Sequence, residues 1–456
     1  MKKISSVQNQ SGALMTIAIM FFAFGFVTWT NSMLIPYFKV ACELSNFQSY
    51  LVAFAFYISY LVMAVPASMV LQKIGFKKGM MIGFWVMAVG AFIFVPAAYL
   101  RMYGLFLTGL FFIGIGLAFL QTAANPYVTI LGAKNRAAQR ISIMGICNKV
   151  AGIIAPLILA SIILKPTDGE LFRQLPLMTD QLRAAALDGL IRRVVVPYSC
   201  LGGFLFLLGV FIRLSGLPEI DHFVDDTTTN ASTGANNNTH ANGQHPPKPI
   251  YKYPHLVLGA LAIFLHVGAQ VVGIDSIINY AQSQGMSILE AKVFPSYTLT
   301  ATIVGYLTGI VLMPKIISQL NIFRVCSVLG LILSIFVLTI EYKVSFLGHY
   351  ADLSIWFLVL LGLANSMIWA GIWPLALDRL DGQIKLGASI LILGLCGNAI
   401  VPLIYGAISD YYDPRVGYVV LIPCYLYLIF YATYGYKIKE WKKSTKSVKT
   451  AKYYEI

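Results

Sequence analysis

Apolar residues run for about 20 positions at a time along nearly the whole chain, and helices of that length cross the hydrocarbon core of a bilayer. Charge, proline or glycine separates the runs, and twelve spans are predicted. Their cores lie near 14–37, 47–71, 80–99, 103–131, 141–164 and 194–214, then near 255–282, 291–313, 323–342, 353–377, 386–409 and 418–436. The stretch 218–249 is rich in Asn, Thr, Asp and Pro and too polar to bury a core. The expected organisation is a six-helix bundle over 12–217, a cytoplasmic linker over 218–252, a second six-helix bundle over 253–438 and a basic tail over 439–456. A long connection, 165–193, places Leu182, Ala186, Leu187 and Leu190 at helical spacing and predicts a surface helix capping one face. The fold class is all-α and polytopic.

Composition agrees with this pattern. Of 456 residues, 58% are hydrophobic and 11% charged, where a soluble domain carries about a quarter charged. The mean hydropathy of +0.74 and this charge content exclude a soluble enzyme. The net charge of +14 sits in the connections and tail, so topology explains it and no nucleic-acid partner is expected. Lys2, Lys3, Lys73, Lys77, Lys78, Lys134, Arg136, Arg140, Lys315, Arg324, Arg379, Lys385 and the tail lysines fall on one side, which predicts both termini in the cytoplasm. The residues before the first span are polar and lack an A-x-A cleavage site, so no signal peptide is expected to be removed. Asn230 and Asn237 begin N-x-[ST] patterns that a cytoplasmic linker would leave idle. Six scattered cysteines show no C-x-x-C pair and read as packing residues, and no metal site or cofactor is expected.

The two halves echo each other. G-L-A-F-L-Q-T-A-A-N-P (116–126) in the fourth span compares with G-L-A-N-S-M-I-W-A-G-I-W-P (362–374) in the tenth, and G-I-C-N (145–148) in the fifth with G-L-C-G-N (394–398) in the eleventh. With six plus six spans and a polar linker, this predicts the duplicated bundles of major facilitator transporters.

Polar residues at membrane depth carry the functional signal, because hydrocarbon penalises them unless they face a cavity or one another. Asn31, with Thr28 and Ser32, lies beside Trp29 in the first span, and Gln121 and Asn125 share a face in the fourth. The fifth holds Asn148, the eleventh Asn398. Gln270, Asp275 and Asn279 lie broadly on one side of the seventh, and Asn365, Trp369 and Trp373 form an i, i+4, i+8 stripe in the tenth. Amides donate and accept at once and indoles cover the C–H face of a sugar ring, so these residues are candidate substrate contacts for a neutral polyol. The alternative is plain helix-to-helix bonding, worth about 0.6 kcal/mol per bond on average. Asp275 and Lys149 each cost about 2.5–3.5 kcal/mol at membrane depth unless neutralised. One sits in each half, so the expectation is that they approach across the interface as a coupling pair, the alternative being a static, fold-locking ion pair or a carboxylate that snorkels to water. His266 reads as a helix-to-helix hydrogen bond, and Glu341 and Asp378 as solvated residues at span ends.

The runs N-S-M-L-I-P-Y-F (31–38), Q-T-A-A-N-P-Y-V-T-I-L-G (121–132), V-G-A-Q (267–270) and G-A-I-S-D (406–410) resemble the fucose, glucose/galactose and N-acetylglucosamine permease family of the major facilitator superfamily. The resemblance implies a bacterial inner-membrane importer of a small sugar, monomeric in the lipid bilayer, often coupled to protons and in some members to sodium. M-G-I-C-N-K-V-A-G (144–152) looks most like the glucose or N-acetylglucosamine branch. Fucose permease carries acids where this chain has Ser32 and Gln121. That departure makes Asp275 and Lys149 the substitutes for coupling, or leaves an uncoupled facilitator. Gln121, at a position that lines the cavity in the family, is the first choice for a sugar hydroxyl contact. A drug/proton antiporter of the same superfamily, and a sensor that has kept the fold, remain open. A membrane-embedded enzyme lacks any H-E-x-x-H, histidine cluster or Ser-His-Asp order.

Overall fold

The computed structural model describes residues 2–130, 137–215, 249–312, 316–380 and 384–441. Asn230, Asn237, nearly all of the expected linker and the tail beyond Trp441 lie outside the described residues. Twelve helices are long and apolar enough to cross a membrane, as the apolar runs predict. Several are interrupted at polar residues. The first span breaks between Lys2–Trp29 and Asn31–Ala41, the seventh between Pro254–Asp275 and Ile277–Ser283, and the tenth between Leu353–Asn365 and Ile368–Ala376. At each break a hydroxyl bonds a backbone carbonyl that the helix would otherwise use. Ser32 Oγ donates to the Trp29 carbonyl (2.7 Å), Ser276 Oγ to that of Val272 (2.5 Å) and Ser366 Oγ to that of Leu363 (2.8 Å). The broken first and seventh spans are counterparts in the two halves, an internal echo that the apolar pattern alone does not reveal.

Packing repeats this duplication. The first span packs on the fifth (Ala137–Ile163), and the seventh on the eleventh (Gly397–Tyr411). Both contacts need a residue without a side chain: a Cβ on Gly25 would overlap the Asn148 carbonyl oxygen, and one on Gly397 would overlap that of Phe264. Small residues let helix backbones approach this closely where no hydrophobic force drives helices together. The halves meet where the second span (Asn46–Ile74) packs on the eleventh and the fifth on the eighth (Phe294–Leu312). Exchanging each span with its counterpart six places on maps one of these pairs onto the other.

Among the described residues, the hydrogen bonds joining the halves lie toward the face opposite the chain termini. Asp410 accepts from the backbone N–H groups of Asn46 and Phe47, both at 2.7 Å, and Ser296 Oγ donates to the Ile153 carbonyl at 2.7 Å. Asn46 and Phe47 open the second span, whose N-cap Ser45 forms a capping box with Gln48. The Asp410 carboxylate thus satisfies two orphan donors that the cap leaves over and sits on the positive end of the helix dipole. Tyr50 meets Tyr405 edge-on (centroids 5.4 Å apart) just inside this contact.

The connection 165–193 forms the surface helix that its pattern predicts, as Asp180–Ile191 after the shorter Asp168–Gln174. Leu187 and Leu190 are buried while Leu182 is exposed, so the apolar stripe is narrower than its spacing suggests. Arg193 clamps the buried Asp168, and Tyr37 donates to the Leu190 carbonyl at 2.5 Å. A β-hairpin that no sequence signal announces, β1 (Lys343–Phe346) and β2 (His349–Asp352), joins the ninth and tenth spans. Glu341 and Asp378 are exposed at span ends, as expected, and each also forms an ion pair, Glu341 with Arg415 (2.6 Å) and Asp378 with Lys439 (2.8 Å). The cysteines are free thiols, and burial pushes the Cys42 thiol up to about 11, which keeps it neutral and inert.

Two outcomes are expected. Gly397→Val should cost about 1–3 kcal/mol or more through overpacking, visible as a lower unfolding temperature of the purified protein. Asp410→Ala should loosen the closed face, so that a cysteine placed at Phe47 reacts faster with a membrane-impermeant maleimide than the same cysteine in the Asp410 background; equal rates would remove the latch role.

Candidate functional site

A cavity of about 210 Å³ lies between the halves. The N-terminal half contributes Thr28, Trp29, Tyr57, Tyr60, Gln121 and Lys149, and the C-terminal half His266, Gln270, Tyr306, Trp369 and Asn398, with Val267, Val271 and Leu395 as apolar wall. Each half presents amides, tyrosines and an indole. Gln121 donates through Nε2 to the Tyr60 hydroxyl at 3.0 Å, which fixes the amide and leaves its carbonyl oxygen available. Asn398 is 8% exposed and its Oδ1 has no partner, as does the Nδ1 of His266. The Lys149 ammonium lies 4.2 Å over the Trp29 ring, a cation–π contact.

Of the sequence-predicted residues, Gln121, Gln270, Asn398, Trp369 and Lys149 come together in this lining. The others sit elsewhere. Asn148 faces the first span, accepting from Trp29 Nε1 and donating to the Phe21 carbonyl, both at 3.4 Å, so it holds the ring on which Lys149 stacks. Asn365 accepts from the Tyr425 hydroxyl at 3.0 Å, tying the tenth span to the twelfth. The break after Asn365 takes it off the helical stripe expected with Trp369 and Trp373. Trp373 packs against Trp369 with its Nε1 buried and unpartnered. Asn31 is buried beyond the break in the first span. The Asn125 side chain lies outside the described residues.

The expected approach of Asp275 and Lys149 is not seen: among the described residues no ion pair joins them, because Lys149 turns to the Trp29 face while Asp275 ends the first helix of the seventh span. Asp275 is 1% exposed, and neither carboxylate oxygen has a partner. Asn279, one turn on, also has both polar atoms buried and unpartnered. Asp275 is close enough to Tyr57 and Tyr50 for its charge to act on both hydroxyls. Tyr57, near Asp275, also lines the cavity. His266, expected to bond helix to helix, is a cavity residue. Tyr57, Tyr60 and Tyr306 escape sequence reasoning, because tyrosines are common in spans and only the tertiary fold distinguishes those that face inward.

A duplicated helical bundle around a polar cavity at the interface of its halves defines a multi-pass membrane transporter rather than an enzyme. The chain belongs to the Major Facilitator Superfamily, whose family model matches residues 17–389. It is 32% identical over 436 residues to the glucose/galactose transporter of Brucella abortus, covering 95% of this chain and 96% of that protein. It is 28% identical to the L-fucose-proton symporter of Escherichia coli, covering 86% and 85%. The crystal structure of the transporter FucP in the outward conformation superposes with a TM-score of 0.65 at 24% identity, over 92% of this chain and 98% of that one, which shows the shared fold.

Asn365→Ala should strand the buried Tyr425 hydroxyl and destabilise the protein by about 1–3 kcal/mol, measured by thermal unfolding in detergent, whereas Trp369→Ala should leave unfolding far less affected than ligand binding.

Proposed function

We propose that this transporter carries a hexose such as glucose or galactose, or an N-acetylhexosamine, by alternating access, with proton or sodium symport through Asp275. The observation that carries the reading is the cavity lining: amides, phenols and indoles from both halves, the groups that bond hydroxyls and cover a sugar ring. The sugar-transport functions of the Brucella and Escherichia relatives support the same class. The excess of Lys and Arg on the terminal side supports cytoplasmic termini in a bacterial inner membrane, which makes the Asp410 contact an extracytoplasmic closure. The working unit in this reading is a monomer.

Gln121, Gln270, Asn398 and Trp369 are the proposed substrate contacts, and Asn125, four residues on from Gln121 in sequence, is a further candidate. Asn148 supports the site by holding the Trp29 ring and Trp373 by packing on Trp369, whereas Asn31, Asn279 and Asn365 lie outside the lining. Asp275 carries the coupling role because a buried carboxylate without a partner is costly, and a proton or a cation removes that cost.

Radiolabelled glucose uptake into proteoliposomes, with galactose, N-acetylglucosamine and fucose as competitors, tests this. An inward proton or sodium gradient should stimulate uptake in the wild type and lose that effect in Asp275→Asn; equal downhill exchange under every condition would point to a facilitator. Gln121→Ala should weaken sugar affinity about tenfold, corresponding to about 1.4 kcal/mol, and unchanged affinity would remove Gln121 from the site.

A further inference from the structure

A second cavity, of about 510 Å³, opens on the face opposite the chain termini. Small-molecule sites span about 300–1,000 Å³. The end of the seventh span, the two ends of the hairpin segment and the turn between the eleventh and twelfth spans enclose it. Arg415, in that turn, is 9% exposed and is built into the wall. Its Nε donates to the Tyr280 hydroxyl (2.9 Å) and its Nη2 pairs with Asp352 (3.1 Å). The remaining nitrogen, Nη1, is buried and makes no hydrogen bond; the exposed Glu341 side chain reaches to 2.6 Å from it and serves as an ion-pair partner only. The neighbouring carboxylates are half used. Asp352 Oδ1 accepts from the Ser354 N–H (2.9 Å) and pairs with Arg415, and Asp413 Oδ1 accepts from the N–H groups of Arg415 (2.7 Å) and Val416 (3.1 Å). Both acids line the cavity, and among the described residues the Oδ2 of each has no partner.

The charges decide what can occupy this space. The carboxylates of Glu341, Asp352 and Asp413 share the wall with two cations, Arg415 and Lys343. An anion entering the cavity meets the carboxylates, and a cation meets the guanidinium and the ammonium; among the described residues no group of acids is arranged to hold a metal ion. A neutral ligand rich in hydroxyls meets neither penalty. Each hydroxyl can donate to a spare carboxylate oxygen and accept from the guanidinium or the Gln284 amide, and hydrogen bonds to charged groups are about twice as strong as neutral ones. We propose that this cavity is a second, outer sugar site that takes a neutral polyol on the extracytoplasmic side, apart from the central cavity. The inference rests on the reading of this protein as a sugar transporter. The outer site adjoins the closed contact between the halves: Asp413 follows the latch residue Asp410 in the same connection, and the Tyr405 hydroxyl donates to the Pro414 carbonyl at 3.1 Å. Arg415 also ties it to the seventh span. Tyr280, which accepts the Nε bond, stands edge-on to Tyr418 (5.2 Å), and the Tyr418 hydroxyl meets Ser276 Oγ (2.7 Å) at the break. A polyol held there sits beside the segments that part when the halves open on this face.

The test is protection of a cysteine by glucose. Ser283, which lines the cavity, is replaced by the near-isosteric Ser283→Cys in the purified full-length protein, and maleimide labelling at that residue is followed by mass spectrometry. The measurement is made in the otherwise wild-type protein and with Trp369→Ala added, whose weakened central affinity is checked by equilibrium binding. Glucose should slow labelling in both backgrounds at the same half-protecting concentration. Asp413→Asn keeps a helix-capping oxygen but loses the spare carboxylate oxygen, and should raise that concentration about tenfold. Labelling that glucose leaves unchanged, in a protein that still binds glucose, overturns the outer site and leaves the sugar reading intact. Protection whose half-point moves with the central affinity in Trp369→Ala does the same, because it reports a motion transmitted from the central cavity. An unchanged half-point in Asp413→Asn or, should that variant fail to fold, in Glu341→Gln at the exposed rim also counts against the proposal. Binding of neither glucose, galactose nor N-acetylglucosamine by a wild type that unfolds cooperatively overturns the sugar reading as well.

Discussion

A polar side chain inside a bilayer has no water to bond, and this single cost orders the whole molecule. Most amides, hydroxyls and charges at depth find a partner across a helix interface or face an internal space, and Asp275 and Asn279, buried and unpartnered among the described residues, bear the cost. Asn148, Asn365 and Ser296 take the first course, bonding to neighbouring spans. Gln121, Gln270, Asn398, His266 and Lys149 take the second, and their convergence forms the cavity. The same cost explains the broken helices: a hydroxyl at each break keeps the backbone partly satisfied where the ladder of helical bonds is interrupted.

Alternating access requires an interface that closes without becoming permanent. The contact at the face away from the termini suits that need, since Asp410 bonds backbone N–H groups of a helix end, with the half-buried Lys39 nearby on Asn46. Such a carboxylate on a helix dipole is worth about 0.3–1 kcal/mol when exposed and up to about 2 kcal/mol when partly buried, enough to bias an equilibrium and too little to lock it. The pseudo-symmetric packing of the second span on the eleventh and the fifth on the eighth lets either pair act as the pivot for the other. Within each half, the glycine contacts at Gly25 and Gly397 hold the first and seventh spans against their partners.

Asp275 and Lys149 show how two buried charges can serve separate purposes. Sequence alone places one in each half and invites a pairing. The fold instead gives Lys149 an aromatic face inside the cavity and buries Asp275 near Tyr57.

What the chain by itself determined is whatever depends on local composition: twelve apolar runs, a polar connection between two groups of six, a surface helix between the fifth and sixth spans, and an inventory of amides and indoles at depth. Hydrophobic periodicity reports these because a span must match the bilayer residue by residue. Which amide faces the cavity was decided by tertiary structure. Asn365 and Trp369 are one turn apart in sequence, yet a break at Ser366 turns one toward Tyr425 and the other toward the site. Tyr57, Tyr60 and His266 carry no signal that separates them from packing residues, because facing inward is a property of how helices are rotated against one another. The hairpin of β1 and β2 was invisible for the same reason: its pairing is a relation between segments, and apolar pattern along a single segment does not encode it.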